Sequence, residues 1–288
     1  MRWLILDCNF LCHKAFHALK HLNLSHKDIP TGVIFGFMKE LNSLSELHQC
    51  GNFVFCFDEG FNLRENVLPT YKEKRRDKVL ELTEEEQKSK KEFYKQVTKL
   101  RDKYLPLAGF RNIFHQDGYE GDDIMASVAE NLPKGDLATI VTSDQDLFQC
   151  ITKRVDFYDP SKRQLLTKER FKFLYGICPS KWGMVKSIGG CSTDEVPGVK
   201  GVGEPTAIKY LKGNLPNHYK VFEAIESKKG SKIIARNKKI VVLPMKGTKK
   251  YKPKKEKVPP NWSAVAAKLG FQTTTKKSRK NRDGGFGL

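Results

Sequence analysis

The sequence contains no CxxC pair. Its seven cysteines, at positions 8, 12, 50, 56, 150, 178 and 191, show no spacing of a zinc site or a disulfide framework. Reduced thiols in a cytoplasmic setting are therefore expected. No stretch has the length and apolarity of a membrane span, none resembles a signal peptide, and Met1 leads directly into an apolar, strand-like run. Acids are the minority charge, 33 Asp and Glu against 52 Lys and Arg, for a formal net charge of +19. Such an excess points to a polyanionic partner, of which nucleic acid is the usual one. At 288 residues the chain is long enough to bury a real core, as one large domain with an appendage or as two domains.

The scarce acids are concentrated. In the stretch 117–148, Glu120, Asp122 and Asp123 open a helix whose apolar stripe is Ile124, Val128 and Leu132, with Met125 and Ala129 beside it. After a Pro-Lys-Gly turn, Leu137–Val141 reads as a buried strand with Asp144 and Asp146 at its carboxyl end. Ligands of open α/β sheets bind outside the carboxyl ends of strands. Singly, each acid has a simpler explanation: Asp122 as a helix cap, Asp144 and Asp146 as turn residues. As a set they repel one another unless a cation sits among them, and carboxylate-only sets suit Mg²⁺ or Mn²⁺ rather than zinc. Two more apolar runs, 2–6 and 52–57, deliver Asp7 and Asp58 at their ends. This implies a parallel sheet with three acids on one rim. Segments 112–115 and 155–158 would complete a sheet of about five strands.

The helix after Asp7 carries Lys14 together with His13, His17 and His21 at intervals of four. A zinc site is outweighed there by a helix face beside a phosphate groove. An amphipathic helix is expected over 31–47. Residues 61–105 change character. Arg64, Tyr71, Lys72, Arg75 and Arg76 combine cations with an aromatic ring, as single-strand binding requires, although a solvated charged helical hairpin explains the segment equally well. From 174 onward the pattern is helical and includes GGCSTDEVPGVKGVGEPTAIKYL. Gly198, Gly201 and Gly203 make a tight turn there, and Pro205 suits the first turn of the next helix. Amides at such a turn bind phosphate without reading bases; Asp194 precedes it, and Lys200 and Lys209 flank it.

The blocks PTGVIFGF, FDEG, LPTYKEKR, GYEGDDIMAS, TSDQDLFQ and VPGVKGVGEPTA, in this order, resemble those of the 5′ nucleases of the flap endonuclease family. The resemblance is strongest to the 5′→3′ exonuclease domain of bacterial DNA polymerase I and to free-standing phage or bacterial 5′ nucleases, and it weakens after about Leu243. It implies an α/β fold with a mostly parallel central sheet flanked by helices, a PIN-like nuclease core over 1–175. A helical arch at about 61–105 belongs to that core, and 176–288 form a helix-hairpin-helix DNA-binding region with a basic tail. By the resemblance, two Mg²⁺ or Mn²⁺ ions would be held, the first by Asp7, Asp58, Glu120, Asp122 and Asp123, the second by Asp146 and Asp194, with Asp144 near both. Lys14, Lys72 and Arg75 would act on the scissile phosphate. Tyr71, Lys72 and Arg75 would line the arch through which a free 5′ end passes. The Gly-rich loop would grip duplex DNA, with a K⁺ on its carbonyls.

One position departs from the pattern: Cys191 stands where polymerase I and phage relatives usually have Asp, and eukaryotic flap endonucleases likewise keep only the acid equivalent to Asp194. The lysine-rich run 246–257, a short helix at 261–269 and a basic tail ending GGFGL read as a solvated or nonspecific DNA-holding appendage. The expected function is a metal-dependent 5′→3′ exonuclease and structure-specific 5′ flap endonuclease in replication or repair. It would be a monomer in a bacterial cytoplasm or that of a phage host, with RNA–DNA hybrids left open as a second substrate. The alternative is a catalytically weakened DNA-binding protein. A haloacid-type phosphatase needs DxD after its first strand, where this chain has Asp7-Cys8-Asn9.

Overall fold

The computed structural model describes residues 1–27, 29–60, 62–255 and 261–271. The basic tail after 271 and positions 256–257 of the lysine-rich run lie outside the described residues. Six strands form the central sheet: β1 (Arg2–Asp7), β2 (Phe53–Cys56), β3 (Ile113–Phe114), β4 (Leu137–Val141), β5 (Val155–Asp159) and β6 (Gln164–Leu166). Their spatial order is β3-β2-β1-β4-β5-β6. All neighbours are parallel except β5 and β6. The sixth, antiparallel strand corrects the expectation of five; three residues beyond a Ser-Lys-Arg turn carry little periodic signal.

Helices cover both faces because β1 is apolar on both. Its side chains alternate across the sheet. Trp3 and Ile5 share a buried cluster with Ile124, Val128 and Ile140, whereas Leu4 and Leu6 pack with Leu11, Phe37, Phe55 and Val141. The second layer comprises α1 (Cys8–Leu19) and α2 (Gly32–His48) with α4 (Glu84–Lys99) packed on them, while α3 (Glu73–Leu80), just before α4, buries no residue. The first layer holds α5 (Gly121–Glu130). Further helices are α6 (Lys168–Tyr175), α7 (Trp182–Gly189), α8 (Glu204–Leu211), α9 (Lys220–Glu226), α10 (Lys228–Val241) and α11 (Ser263–Leu269). Among the described residues, no helix is long and apolar enough to cross a membrane.

The charged segment 61–105 is a helical pair with one anchored face. Thr83 and Glu86 form a capping box at the start of α4. Phe93 and Val97 are buried, and Gln96 accepts the Val33 amide at 3.0 Å. His13 stacks on Phe93 with ring centroids 4.3 Å apart, so this histidine packs toward α4; among the described residues, His13, His17 and His21 belong to no metal-ligating group.

Lysines 246–255 are not simply solvated, because the backbone there is laced across the core. Ser127 Oγ donates to the Lys249 carbonyl at 2.6 Å, the Met245 amide donates to Asp123 at 2.8 Å, and Asn112 bonds Lys254 in both directions at 2.8 Å.

Candidate metal centre

Register places the acids. Leu6 pairs with Phe55 and with Val141, so β1, β2 and β4 end level and present Asp7, Asp58 and Asp144 on one edge. Asp7 caps α1 by accepting the Phe10 amide at 2.9 Å, while its other oxygen accepts Thr142 Oγ1 at 2.8 Å. Asp58 accepts the Gly121 amide at 2.7 Å, which docks the start of α5 against the rim. A Cβ on Gly121 would stand 3.1 Å from the Asp58 carboxylate, which would have to shift by a few tenths of an ångström to admit it. Asp122, in the first turn of α5, completes the group.

Two populations of acid emerge. Glu120, Asp123, Asp146 and Asp194 each have a protein cation as partner. Among the described residues, no lysine or arginine forms an ion pair with Asp7, Asp58, Asp122 or Asp144. Burial together with mutual repulsion pushes the first three of these upward. Asp7 rises to about 7 through burial and then Asp58. Asp58 rises through burial and then Glu120, and Asp122 rises well above the usual range through burial, Asp144 and Asp7. Asp146 rises to about 6, first through burial and then Asp144. Glu120 goes the other way: burial raises it, but Lys72 and Arg64 together outweigh that and hold it low. A cation-deficient set of hard oxygens fits a divalent ion of the Mg²⁺ or Mn²⁺ type.

These shifts fix a pH dependence. A carboxyl that holds its proton more tightly when folded contributes stability below its unfolded value, near 3.8, and loses it as pH rises through the folded value, near 7 for Asp7. More rim acids are raised than lowered, so the metal-free protein should melt lower at pH 8 than at pH 5.5. Adding Mn²⁺ at pH 8 should recover the loss, because only the folded state offers the site. Thermal scans in EDTA check this; a higher melting temperature at pH 8 than at pH 5.5 would contradict it.

Several expected contacts are placed differently. Arg64 is 1% exposed. Its guanidinium grips Asp123 at 2.6 and 2.8 Å and donates to the Ile240 carbonyl, so it is a core ion pair and not a DNA contact. Asp123 is spent on the same pair: both oxygens accept from Arg64, and they also accept the Met245 and Glu120 amides. That removes it from the set facing a metal. Tyr71 is 3% exposed and donates to Glu120 Oε2 at 2.9 Å, so its ring is not free to stack on a base. Arg76 donates to the Tyr71 and Pro69 carbonyls and props the turn. Lys14 pairs with Glu40 at 2.7 Å and lines a separate cavity with Tyr158 and Arg163; no rim carboxylate pairs with it.

Lys72 and Arg75 do reach the rim. Lys72 donates to Glu120, lies 3.8 Å from Asp194 and sits over the Tyr71 ring; Arg75 meets Asp194 at 3.0 Å. A cavity of about 560 Å³ opens between rim and helical pair, lined by Asp58, Lys72, Arg75, Lys90, Tyr94 and Glu120. Sequence reasoning missed Lys186, which is 7% exposed and bridges Asp146 at 3.2 Å and Glu204 at 2.6 Å. Its signal was a lone lysine inside an apolar helix, α7.

The Gly-rich turn is built by backbone contact. A Cβ on Gly198 would lie 2.3 Å from the Gly189 carbonyl group, so glycine here allows the turn to pack directly on the end of α7. Gly201 turns with φ +78°. Gly203 is the N-cap of α8, and Lys200 and Lys209 are exposed. Asn237 supports the turn by donating to the Ser187 and Pro197 carbonyls at 3.0 Å.

A mostly parallel α/β sheet with an acid rim at its carboxyl edge defines the class of protein, and comparison narrows it. A family model described as "5′-3′ exonuclease, N-terminal resolvase-like domain" matches residues 2–176, and the chain belongs to that family. It is 32% identical over 226 residues to a 5′-3′ exonuclease of Aquifex aeolicus, covering 77% of this chain and 73% of the relative. It is 31% identical over 229 residues to the thermostable DNA polymerase I of Thermus thermophilus, covering 78% of this chain but 26% of the relative. The chain thus spans about a quarter of the polymerase's length. The fold is also that of the bacteriophage T5 D15 flap endonuclease, solved as a pseudo-enzyme–product complex with DNA and metal ions. The TM-score is 0.67 at 18% identity, over 84% of this chain and 89% of that one.

Proposed function

We propose that the chain is a divalent-metal-dependent 5′ nuclease hydrolysing phosphodiester bonds in DNA with 5′ ends, flaps or branches. The observation that carries this is the rim itself: Asp7, Asp58, Asp122 and Asp144 lie close enough to repel one another and form no ion pair with a lysine or arginine among the described residues, beside a cavity edged by Lys72 and Arg75. Those four, with Glu120, would hold Mg²⁺ or Mn²⁺. Bound divalent ions supply charge neutralisation at a phosphoryl oxygen and a more acidic attacking water. The chain's own groups do the rest. Thr142 and the Phe10 and Gly121 amides fix Asp7 and Asp58. Lys72 and Arg75 stabilise charge developing on the phosphate. Exposed Lys200 and Lys209 and the amides around Gly201 and Gly203 hold the duplex backbone without reading bases.

In this reading 1–175 carry the chemistry, with 61–105 as the arch. Within 176–288 the Gly-rich turn and the helices beside it act as a helix-hairpin-helix grip, with K⁺ on loop carbonyls, and the protein works as a monomer. RNA–DNA hybrids present the same phosphate chain and are a second substrate. The family relatives named 5′-3′ exonuclease and the T5 complex with DNA and metal ions support the assignment. A second reading, structure-specific binding without cleavage, draws on Asp146 and Asp194 being already paired with Lys186 and Arg75. A 5′-labelled flap incubated with Mg²⁺ or with EDTA decides between them: short labelled products with Mg²⁺ alone support the nuclease, and an intact but retarded flap supports the binder.

Arg75 offers a sharper check. It is a largely exposed side chain, so Arg75→Ala should leave folding intact while reducing flap cleavage by on the order of a hundredfold. Binding of plain duplex should change far less. Equal losses in the two assays would make Arg75 part of a general basic surface.

A further inference from the structure

Asp146 is distant in sequence from Cys191 and Asp194, yet one ligand atom of each lies within 4.8 Å of the other two. Asp146 follows β4, Cys191 belongs to a two-residue ladder with 196–197, and Asp194 ends the 3₁₀ turn Ser192–Asp194 between them. Cys191 and Asp194 are 6% and 8% exposed. Protein cations already meet both carboxylates, so an ion bound here competes with them. Lys186 meets Asp146 at Oδ1 and keeps Glu204 as its nearer partner, and Arg75 and Lys72 both meet Asp194 at Oδ1. The Thr193 hydroxyl lies 3.0 Å from Cys191 Sγ and steadies it.

The donor set is two oxygens and one sulfur, unlike the oxygen-only rim. Mg²⁺ prefers hard oxygen and keeps several waters, so it gains little from sulfur. Zinc-like ions accept thiolate and carboxylate together, and three protein ligands with a fourth place open is their catalytic arrangement. At a mixed site of this kind cobalt and zinc also bind more tightly than manganese.

We propose that Asp146, Cys191 and Asp194 form a second metal position selective for a thiophilic divalent ion of the cobalt–zinc class over Mg²⁺, while Asp7, Asp58, Asp122 and Asp144 take the hard ion. The inference rests on the metal-dependent reading above and deepens it. Binding transfers the Cys191 thiol proton to solvent and the sulfur lone pair to the ion, one proton released per ion bound. Burial, Asp146 and Asp194 keep the metal-free thiol protonated.

The test is a Co²⁺ titration of the metal-free, reduced full chain in a large excess of Mg²⁺, read by the thiolate-to-cobalt charge-transfer band in the near ultraviolet. The parent should show the band, saturating at one ion per chain. Cys191→Ser should lose it and weaken Co²⁺ binding at that position by more than the roughly 10–100-fold that loss of an outer-shell partner costs. Cys178→Ser, at an exposed thiol, should keep it. Cys191→Asp should lose the band too, yet reach half-maximal flap cleavage at lower Mg²⁺ than the parent, so the idea stays testable if the serine variant fails to fold. No band in the parent, or a band that survives either Cys191 substitution, overturns the proposal. A parent that cleaves flaps in Mg²⁺ but shows no band refutes this inference alone. A Cys191-dependent band without cleavage in any divalent ion upholds it and refutes the nuclease reading.

Discussion

Asp122→Asn should lower flap cleavage by on the order of a hundredfold or more and, at the same time, raise the melting temperature of the metal-free protein. The two effects share one cause. Asp122 lies where burial and the charges of Asp144, Asp7, Glu120 and Asp58 all oppose its ionisation. An asparagine keeps the shape and removes the repulsion, so the fold gains what the site loses, a trade common at functional positions. For a chain of this size each kcal/mol relieved is worth roughly 2–4 °C. In saturating Mn²⁺ the order should invert, because the parent binds the ion more tightly and gains more stability from it. Thermal scans of both proteins in EDTA and in Mn²⁺, beside flap assays, test this. A variant that cleaves like the parent, or that melts lower in EDTA, would show that Asp122 is an ordinary helix-start residue.

The second large effect is expected at Arg64, far from any surface. Arg64→Ala leaves Asp123 buried without its partner, and breaking such a pair costs about 3–5 kcal/mol. That corresponds to a melting temperature lower by roughly 6–20 °C. Replacing both partners by apolar residues, Arg64→Met with Asp123→Leu, should cost less than the two single changes summed, because no lone charge remains. Chemical denaturation of the two singles and the double measures the coupling. If Arg64→Ala instead keeps its stability and loses DNA affinity, the ion pair is incidental and Arg64 is a DNA contact after all.

The rim was legible in the sequence because strong local signals set it. Apolar runs with Asp at their carboxyl ends gave β1, β2 and β4, and β4 falls on Leu137–Val141 as the pattern indicates. Glu120, Asp122 and Asp123 do open a helix. Hidden from a linear reading was which acids are neutralised by the protein. Arg64 and Asp123 are 59 residues apart, and in a basic stretch a buried arginine looks like its exposed neighbours. Tyr71 likewise reads as a stacking platform until its hydroxyl is seen on Glu120. The lysine-rich stretch after α10 misleads for the opposite reason. Its composition is that of a solvated tail, while its backbone bonds to Asn112, Ser127 and Asp123 tie it to the core. Charge composition reports what side chains prefer; it is silent on where the main chain between them is held.

The most direct test is to locate the hard ion. Crystals of the full chain grown with Mn²⁺ and measured for anomalous scattering should show a peak bounded by Asp7, Asp58, Asp122 and Asp144, the acids that form no ion pair with a lysine or arginine among the described residues. A peak confined to the group of half-buried Glu59 with exposed His115 and Asp117, with the rim carboxylates carrying no Mn²⁺, would contradict the account.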